Sequence, residues 1–240
     1  MFRETKRRSA LKTISWRVVA TLTTTLLVFI FTGKLSIAIT VGSIEVIAKL
    51  IFYFFHERMW DKINFGRREL NPFVIWLTGL PASGKTTIGD ALAGELKKMN
   101  IKTERLDAHQ VRDIFPEEGF SREERNRHIK RVGHLASVLE KNNVCVIASF
   151  ISPYTESRDF VRGLCRNFVE VYISVSLETC QKRDSRGLYE KARRGEIQNF
   201  TGISDTYEEP VNPEIIIDTD HETIEESVRK ISSFVKKKYL

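Results

Sequence analysis

The polarity of the chain changes period near residue 70. Residues 18–33 carry no charged side chain, residues 35–55 are apolar apart from Glu45 and Lys49, and Lys34 alone separates the two runs. Runs of this kind predict a two-helix hairpin of membrane type. Sixteen helical residues rise about 24 Å, short of a roughly 30 Å hydrocarbon core, so the first span must recruit Trp16 and let Arg17 and Lys34 snorkel. Glu45 and Lys49 are four residues apart and share a helix face, where they can neutralise each other. After Asn71 and Pro72 short apolar runs alternate with amphipathic ones. Strands are predicted over 73–78, 103–106, 144–150, 169–175 and 215–217. Helices are predicted over 86–99, from Ser121 to Lys141, after Pro153, from Leu177 and at the C-terminus. Ser121 and Glu124 have the spacing of a capping box. The alternation predicts an α/β domain with a mostly parallel sheet flanked by helices. Two domains result: a membrane hairpin with basic flanks over 1–70 and an α/β domain over 71–240.

Charge sharpens this division. The chain holds 38 Lys/Arg and 31 Asp/Glu in 240 residues; residues 1–70 have 12 against 5, and residues 71–240 have 26 against 26. The whole excess of +7 is therefore N-terminal, which excludes a basic nucleic-acid-binding face as the source of the charge and favours lipid as the anionic partner. Arg3, Lys6, Arg7, Arg8, Lys12 and Arg17 precede the first run, and Arg58, Lys62, Arg67 and Arg68 follow the second. With Lys34 alone between the runs, the positive-inside rule puts both termini and the α/β domain in the cytoplasm of a two-span inner-membrane protein. A secretory signal ending near Ser36, Ile37 and Ala38, or a buried or interfacial helical pair, are the competing readings of the same residues. Cys145, Cys165 and Cys180 are widely spaced and odd in number, so neither a disulfide framework nor a zinc site is indicated.

The chemistry begins where the first predicted strand ends. Residues 79–86 read GLPASGKT, a GxxxxGK[ST] loop between a strand and a helix. Backbone N–H groups of Gly79, Leu80, Pro81 (through its neighbours, having no N–H itself), Ala82, Ser83 and Gly84, continued by Thr86 and Thr87 at the helix start, can cradle the phosphates of ATP. Lys85 reaches the β- and γ-phosphates and the Thr86 hydroxyl can ligate Mg²⁺. The fold class is thus a P-loop nucleotide-binding fold, and the family resemblance carried by the segments that follow implies a P-loop kinase. Ligands should gather at the carboxyl ends of the strands, where Asp107 and Ser152 also fall.

Several further segments together resemble the adenylyl-sulfate kinases, P-loop enzymes that phosphorylate the 3′-hydroxyl of adenosine 5′-phosphosulfate. They are Asp107 with Arg112, residues 119–121 (GFS) with Arg125, 150–154 (FISPY) with Arg158, 186–193 (RGLYEKAR), 200–203 (FTGI) and 207–214 (YEEPVNPE). The N-terminal runs look like a small two-helix membrane module found in bacterial proteins. The resemblance implies that Phe120 and Phe200 sandwich the acceptor adenine and that Arg112 and Arg125 pair with the phosphosulfate. It further implies that His128, Ile151 and Ser152 line the acceptor site, and that Lys191 and Arg193 belong to a lid over the donor phosphates. Lys85, Ser152, Asp107 and His109 are the implied catalytic set, with Thr86 and Asp107 toward the metal. Ser152 matches a serine assigned as a phosphoserine intermediate in the family; binding the acceptor or capping the helix after Pro153 are the alternatives. Two positions depart from the family pattern: its second acidic residue after the second strand is His109, and the asparagine of the helix after GFS is His128. A related nucleotide acceptor, or a nucleotide-binding sensor without turnover, are the rival functions these departures leave open. Such kinases often form homodimers.

Overall fold

The computed structural model of the chain describes residues 6–61, 71–108, 111 and 119–240. His109 and Arg112 lie outside them, as do the side chains of Trp16 and Arg17. The chain divides into two compact units, residues 1–68 and 69–240.

The first unit holds two helices, α1 (Lys6–Thr32) and α2 (Leu35–Asp61), joined at Gly33, whose φ of 67° is left-handed. Small residues let the helices approach closely: a Cβ on Gly42 would come within 2.5 Å of Thr25 Oγ1. Several polar groups inside the apolar stretches are tied internally. The Thr24 hydroxyl donates to Glu45 Oε1 at 3.1 Å, and the same carboxylate pairs with Lys49. Thr23, Thr32, Thr40 and Ser43 donate to carbonyls one turn back in their own helices. The outer surface stays apolar, with Leu26, Phe31, Ile44, Phe52 and Phe55 exposed. Residues Leu35–Phe55 are long and apolar enough to cross a bilayer, whereas the apolar part of α1, Val18–Thr32, is shorter.

The second unit is a five-stranded sheet of β1 (Val74–Thr78), β2 (Thr103–Asp107), β3 (Cys145–Ser149), β4 (Phe168–Ser174) and β5 (Ile215–Asp218). The strand order is β2-β3-β1-β4-β5 and every pairing is parallel. Strands buried on both faces read as continuous apolar runs, which is why VIWLT and CVIAS show no polar alternation. On one face Phe73, Ile75 and Leu77 pack with Ile88, Leu92 and Leu96 of α3 (Lys85–Lys98) and Val228, Ile231 and Val235 of α8 (Ile224–Tyr239). On the other, Val74 and Trp76 pack with Ile129, Val132 and Ala136 of α4 (Arg122–Lys141) and Val161 of α5 (Thr155–Leu164). Two short helices, α6 (Leu177–Arg183) and α7 (Leu188–Arg193), follow β4.

The helix ends show where the chain's own signals suffice. Ser121 and Glu124 form the predicted capping box of α4, and Thr223 with Glu226 forms one for α8. At α5 the reading needs correction: the helix begins at Thr155, not directly after Pro153, and Ser152 does not cap it. Its first N–H is taken by Glu208, distant in sequence, whose Oε2 accepts from Thr155 N at 2.8 Å. That bond holds the Glu208 carboxyl below its usual range. Glu140 plays a similar part at the entry to β4. Fully buried, it accepts from the backbone N–H groups of Arg166 and Asn167 at 2.9 and 2.7 Å.

Replacing Glu140 removes both acceptors of that turn at once. Glu140→Ala should therefore cost about 2–4 kcal/mol of unfolding free energy, and Glu140→Gln, which keeps one carbonyl, markedly less. Urea denaturation of a version of the chain beginning near Glu69 measures both; a negligible loss in Glu140→Ala would mean that the two bonds do not hold this turn, and equal losses in the two variants would mean that one retained acceptor contributes nothing.

Candidate active site

β1 runs straight into the GLPASGKT loop, whose path requires its glycines. Gly79 has φ 154°, and a Cβ there would stand 2.7 Å from the Ile173 carbonyl oxygen; Gly84 enters α3 with φ 98°. The loop wraps around Lys85, which is 8% exposed. Its ammonium donates to the Gly79 and Leu80 carbonyls at 3.1 and 2.6 Å and to Ser83 Oγ at 3.2 Å, using all three donors. Burial lowers the Lys85 pKa to about 8, against the opposing pull of Cys180 and Asp107. Beside it, the Thr86 hydroxyl donates to Asp107 Oδ2 at 2.9 Å. Asp107 ends β2 and is buried, with Arg105 Nη2 at 3.5 Å and Arg105 in turn paired with Asp90. Two hard oxygen ligands at the mouth of a phosphate loop suit Mg²⁺, which takes few protein oxygens and fills its octahedron with phosphate and water. Among the described residues no cluster of three His, Cys, Asp or Glu makes a self-contained metal cage.

A pocket opens on the α3 side of this loop, lined by Gly84, Thr87, Arg183, Thr219, Glu222 and Ile224. Arg183 donates to the Thr219 hydroxyl and carbonyl at 3.0 and 2.7 Å, and the Thr219 hydroxyl donates to the Ser83 carbonyl at 3.2 Å. Sequence reasoning missed Arg183 and Thr219. The available signal was position: Thr219 directly follows the carboxyl end of β5, and Arg183 closes α6, the helix that follows the carboxyl end of β4, where ligands of parallel sheets collect.

The expected acceptor residues meet on the other side. Arg125, His128, Ile151 and Ser152 line one pocket together with Gly119 and Phe150. His128 is buried on α4, its ring 5.8 Å from that of Phe150. Ser152 is 1% exposed and takes a left-handed φ of 41°. Its hydroxyl accepts from Trp76 Nε1 at 3.0 Å and donates to Thr78 Oγ1 at 2.9 Å, while Thr78 donates to the Ile151 carbonyl at 2.8 Å. Arg125 donates to the Phe120 and Asn199 carbonyls at 3.0 and 2.6 Å and lies 3.8 Å from Asp205, so it joins the segments carrying the two candidate stacking rings. Those rings differ in availability. Phe120 is 46% exposed beneath the Arg125 guanidinium, whereas Phe200 is 8% exposed. Lys191 and Arg193 sit on α7 and are both exposed.

A family model described as adenylylsulphate kinase matches residues 71–218, and one described as a predicted membrane protein matches residues 10–61. A Pseudomonas aeruginosa protein named "Probable adenylyl-sulfate kinase" is 52% identical over 160 residues, 66% of this chain and 75% of the relative. The adenylyl-sulfate kinase of Rippkaea orientalis is 52% identical over 158 residues, 65% of this chain and 87% of the relative. Among solved structures, the Mycobacterium tuberculosis APS kinase in complex with AMPPNP and APS is 31% identical with a TM-score of 0.67, covering 70% of this chain and 99% of that one. A parallel sheet carrying a complete phosphate loop, a pocket lined by Arg125, His128, Ile151 and Ser152, and 52% identity over 158–160 residues to named relatives lead to one assignment: the chain belongs to the adenylylsulphate kinase family.

Proposed function

We propose that this chain transfers the γ-phosphoryl group of ATP to the 3′-hydroxyl of adenosine 5′-phosphosulfate, giving 3′-phosphoadenosine 5′-phosphosulfate and ADP, from a position anchored at the inner membrane. The observation that carries the reading is the phosphate loop with Lys85, Thr86 and Asp107 beside a pocket lined by Arg125, His128 and Ser152. Phosphoryl transfer of this kind depends on positioning and charge more than on covalent chemistry. Lys85 exchanges the loop carbonyls for β- and γ-phosphate oxygens, and the loop N–H groups hold the rest of the chain of phosphates. Thr86 and Asp107 would hold Mg²⁺, which when bound neutralises charge on those phosphates. The pocket at Thr87, Arg183 and Thr219 suits the donor nucleoside. Arg125 answers the anionic end of the acceptor, and Phe120 offers a face to its base.

Ser152 takes a supporting role in this reading. Its proton is committed to Thr78 and its lone pair to Trp76, so a phosphoserine would break a buried network, whereas direct transfer leaves it intact. His109 remains the proposed proton acceptor on sequence grounds, in place of the family's carboxylate. Incubating the purified chain with ATP and adenosine 5′-phosphosulfate tests the function: ADP should form only when the acceptor is present. ADP release that needs another nucleotide instead would overturn the choice of acceptor.

Lys85 is the decisive side chain on the donor side. Lys85→Ala should keep the fold and lower turnover by about 10²–10³, the effect of removing one positioned electrostatic group worth about 3–4 kcal/mol in the transition state. Retention of more than a tenth of the wild-type rate would contradict the site.

The anchor follows from α1 and α2, read here as two spans with both ends cytoplasmic. Support comes from the basic flanks, the outward apolar surface and the 21-residue apolar stretch Leu35–Phe55. The full chain should sediment with membranes and resist extraction by alkaline carbonate, and a reporter fused after Leu240 should stay cytoplasmic. Release by salt alone would reduce the hairpin to a peripheral contact.

A further inference from the structure

One hydrophobic cluster of the catalytic unit belongs to neither face of the sheet. Cys180, Tyr189, Ala192 and Phe200 form its buried part, and Leu80 and Ile203 pack against them. Its members come from both substrate sides: Leu80 is a residue of the phosphate loop, and Phe200 is the ring expected against the acceptor base. Tyr189 stands between them, 2% exposed. Its hydroxyl donates to the Pro81 carbonyl at 2.9 Å, and its ring meets Phe200 edge to face at 5.0 Å and 79°. A second contact runs in parallel. Gly202 has φ 91°, and a Cβ there would come within 3.1 Å of Leu80 Cδ2, so the turn after Phe200 lies directly on the phosphate loop. Burial pushes the Tyr189 phenol above its ordinary range, which keeps the hydroxyl a donor.

We infer that Tyr189 is a positioning residue that couples occupancy of the donor phosphate loop to affinity for the acceptor nucleotide. The inference rests on the kinase reading given above. Phosphates entering the loop fix the backbone at Leu80 and Pro81. A fixed Pro81 carbonyl fixes the Tyr189 hydroxyl, and the Tyr189 ring then holds Phe200 in place. Donor phosphates thereby favour the placement of Phe200 against Tyr189, so the acceptor meets a surface already set and binds more tightly. Linkage makes the effect reciprocal: the acceptor strengthens donor binding by the same factor.

The test is the ratio of two dissociation constants. Binding of adenosine 5′-phosphosulfate to the full chain in nanodiscs is measured with and without saturating AMPPNP and Mg²⁺, for wild type and Tyr189→Phe. AMPPNP should tighten acceptor binding to the wild type. In Tyr189→Phe, which keeps the ring and loses the bond to Pro81, the ratio should shrink about three- to tenfold, the share of one hydrogen bond. A merely structural defect weakens both constants together and leaves the ratio alone. A wild-type ratio of one, or a wild-type ratio preserved in Tyr189→Phe, would overturn the coupling. Absence of acceptor binding to the wild type under either condition would overturn the functional reading itself, and the inference with it.

Discussion

The catalytic unit depends on one buried cation. Arg158 is 2% exposed, and its guanidinium ties together three pieces of chain: the 152–155 stretch that leads into its own helix, β4 and the segment at Glu208. Nε pairs with Glu170 on β4 at 2.9 Å, and Nη1 donates to the Ser152 carbonyl at 2.7 Å. Nη2 donates to the Glu208 carbonyl at 2.7 Å and the Thr155 hydroxyl at 3.1 Å. A charge at this depth survives only when fully partnered, and removal of one partner of such a pair typically costs about 3–5 kcal/mol. Because the guanidinium is planar and its donors are fixed in direction, the three pieces must also keep their relative positions. The strained φ of Ser152 follows from this arrangement, since the residue's carbonyl is held by Arg158 while its hydroxyl is held by Trp76 and Thr78.

A second set of ties extends the same frame toward the acceptor. Arg122 pairs with Glu208 at 3.0 Å and lies 4.2 Å over the Tyr154 ring, and the Tyr154 hydroxyl donates to Asp205 at 2.6 Å. The segment from Phe200 to Glu208 is thereby held to the starts of α4 and α5 by charge and hydrogen bonds, and to the phosphate loop by apolar packing. The same segment is thus held on one side by directional polar bonds and on the other by the small buried cluster around Tyr189.

The hairpin obeys a different solvent. Thr24 and Lys49 meet Glu45 Oε1 within and between its helices, and its apolar side chains are exposed. In water such a surface would drive aggregation; in lipid it is the stable arrangement. Gly42 against Thr25 shows the accompanying packing rule, in which small residues bring helices close because lipid offers no hydrophobic gain for association.

Much of this was legible in the residue order. The GLPASGKT loop, the alternation of strands and helices, the Ser121 capping box and the charge divide at residue 70 are local signals, and local physics decides them: a loop's φ angles, a helix's first turn, the period of apolar residues. The tertiary structure decided what depends on residues far apart in sequence. Only folding puts Glu208 at the head of α5, closes Arg158 around Ser152 and Glu170, and brings Arg183 to Thr219 beside the phosphate loop. It also separated two phenylalanines that sequence treats alike, leaving Phe120 open and burying Phe200 against Tyr189. The reason is the range of the interactions. A motif states which groups are present, but burial and hydrogen-bond partnership belong to pairs, and the partner's identity is set by where the chain returns.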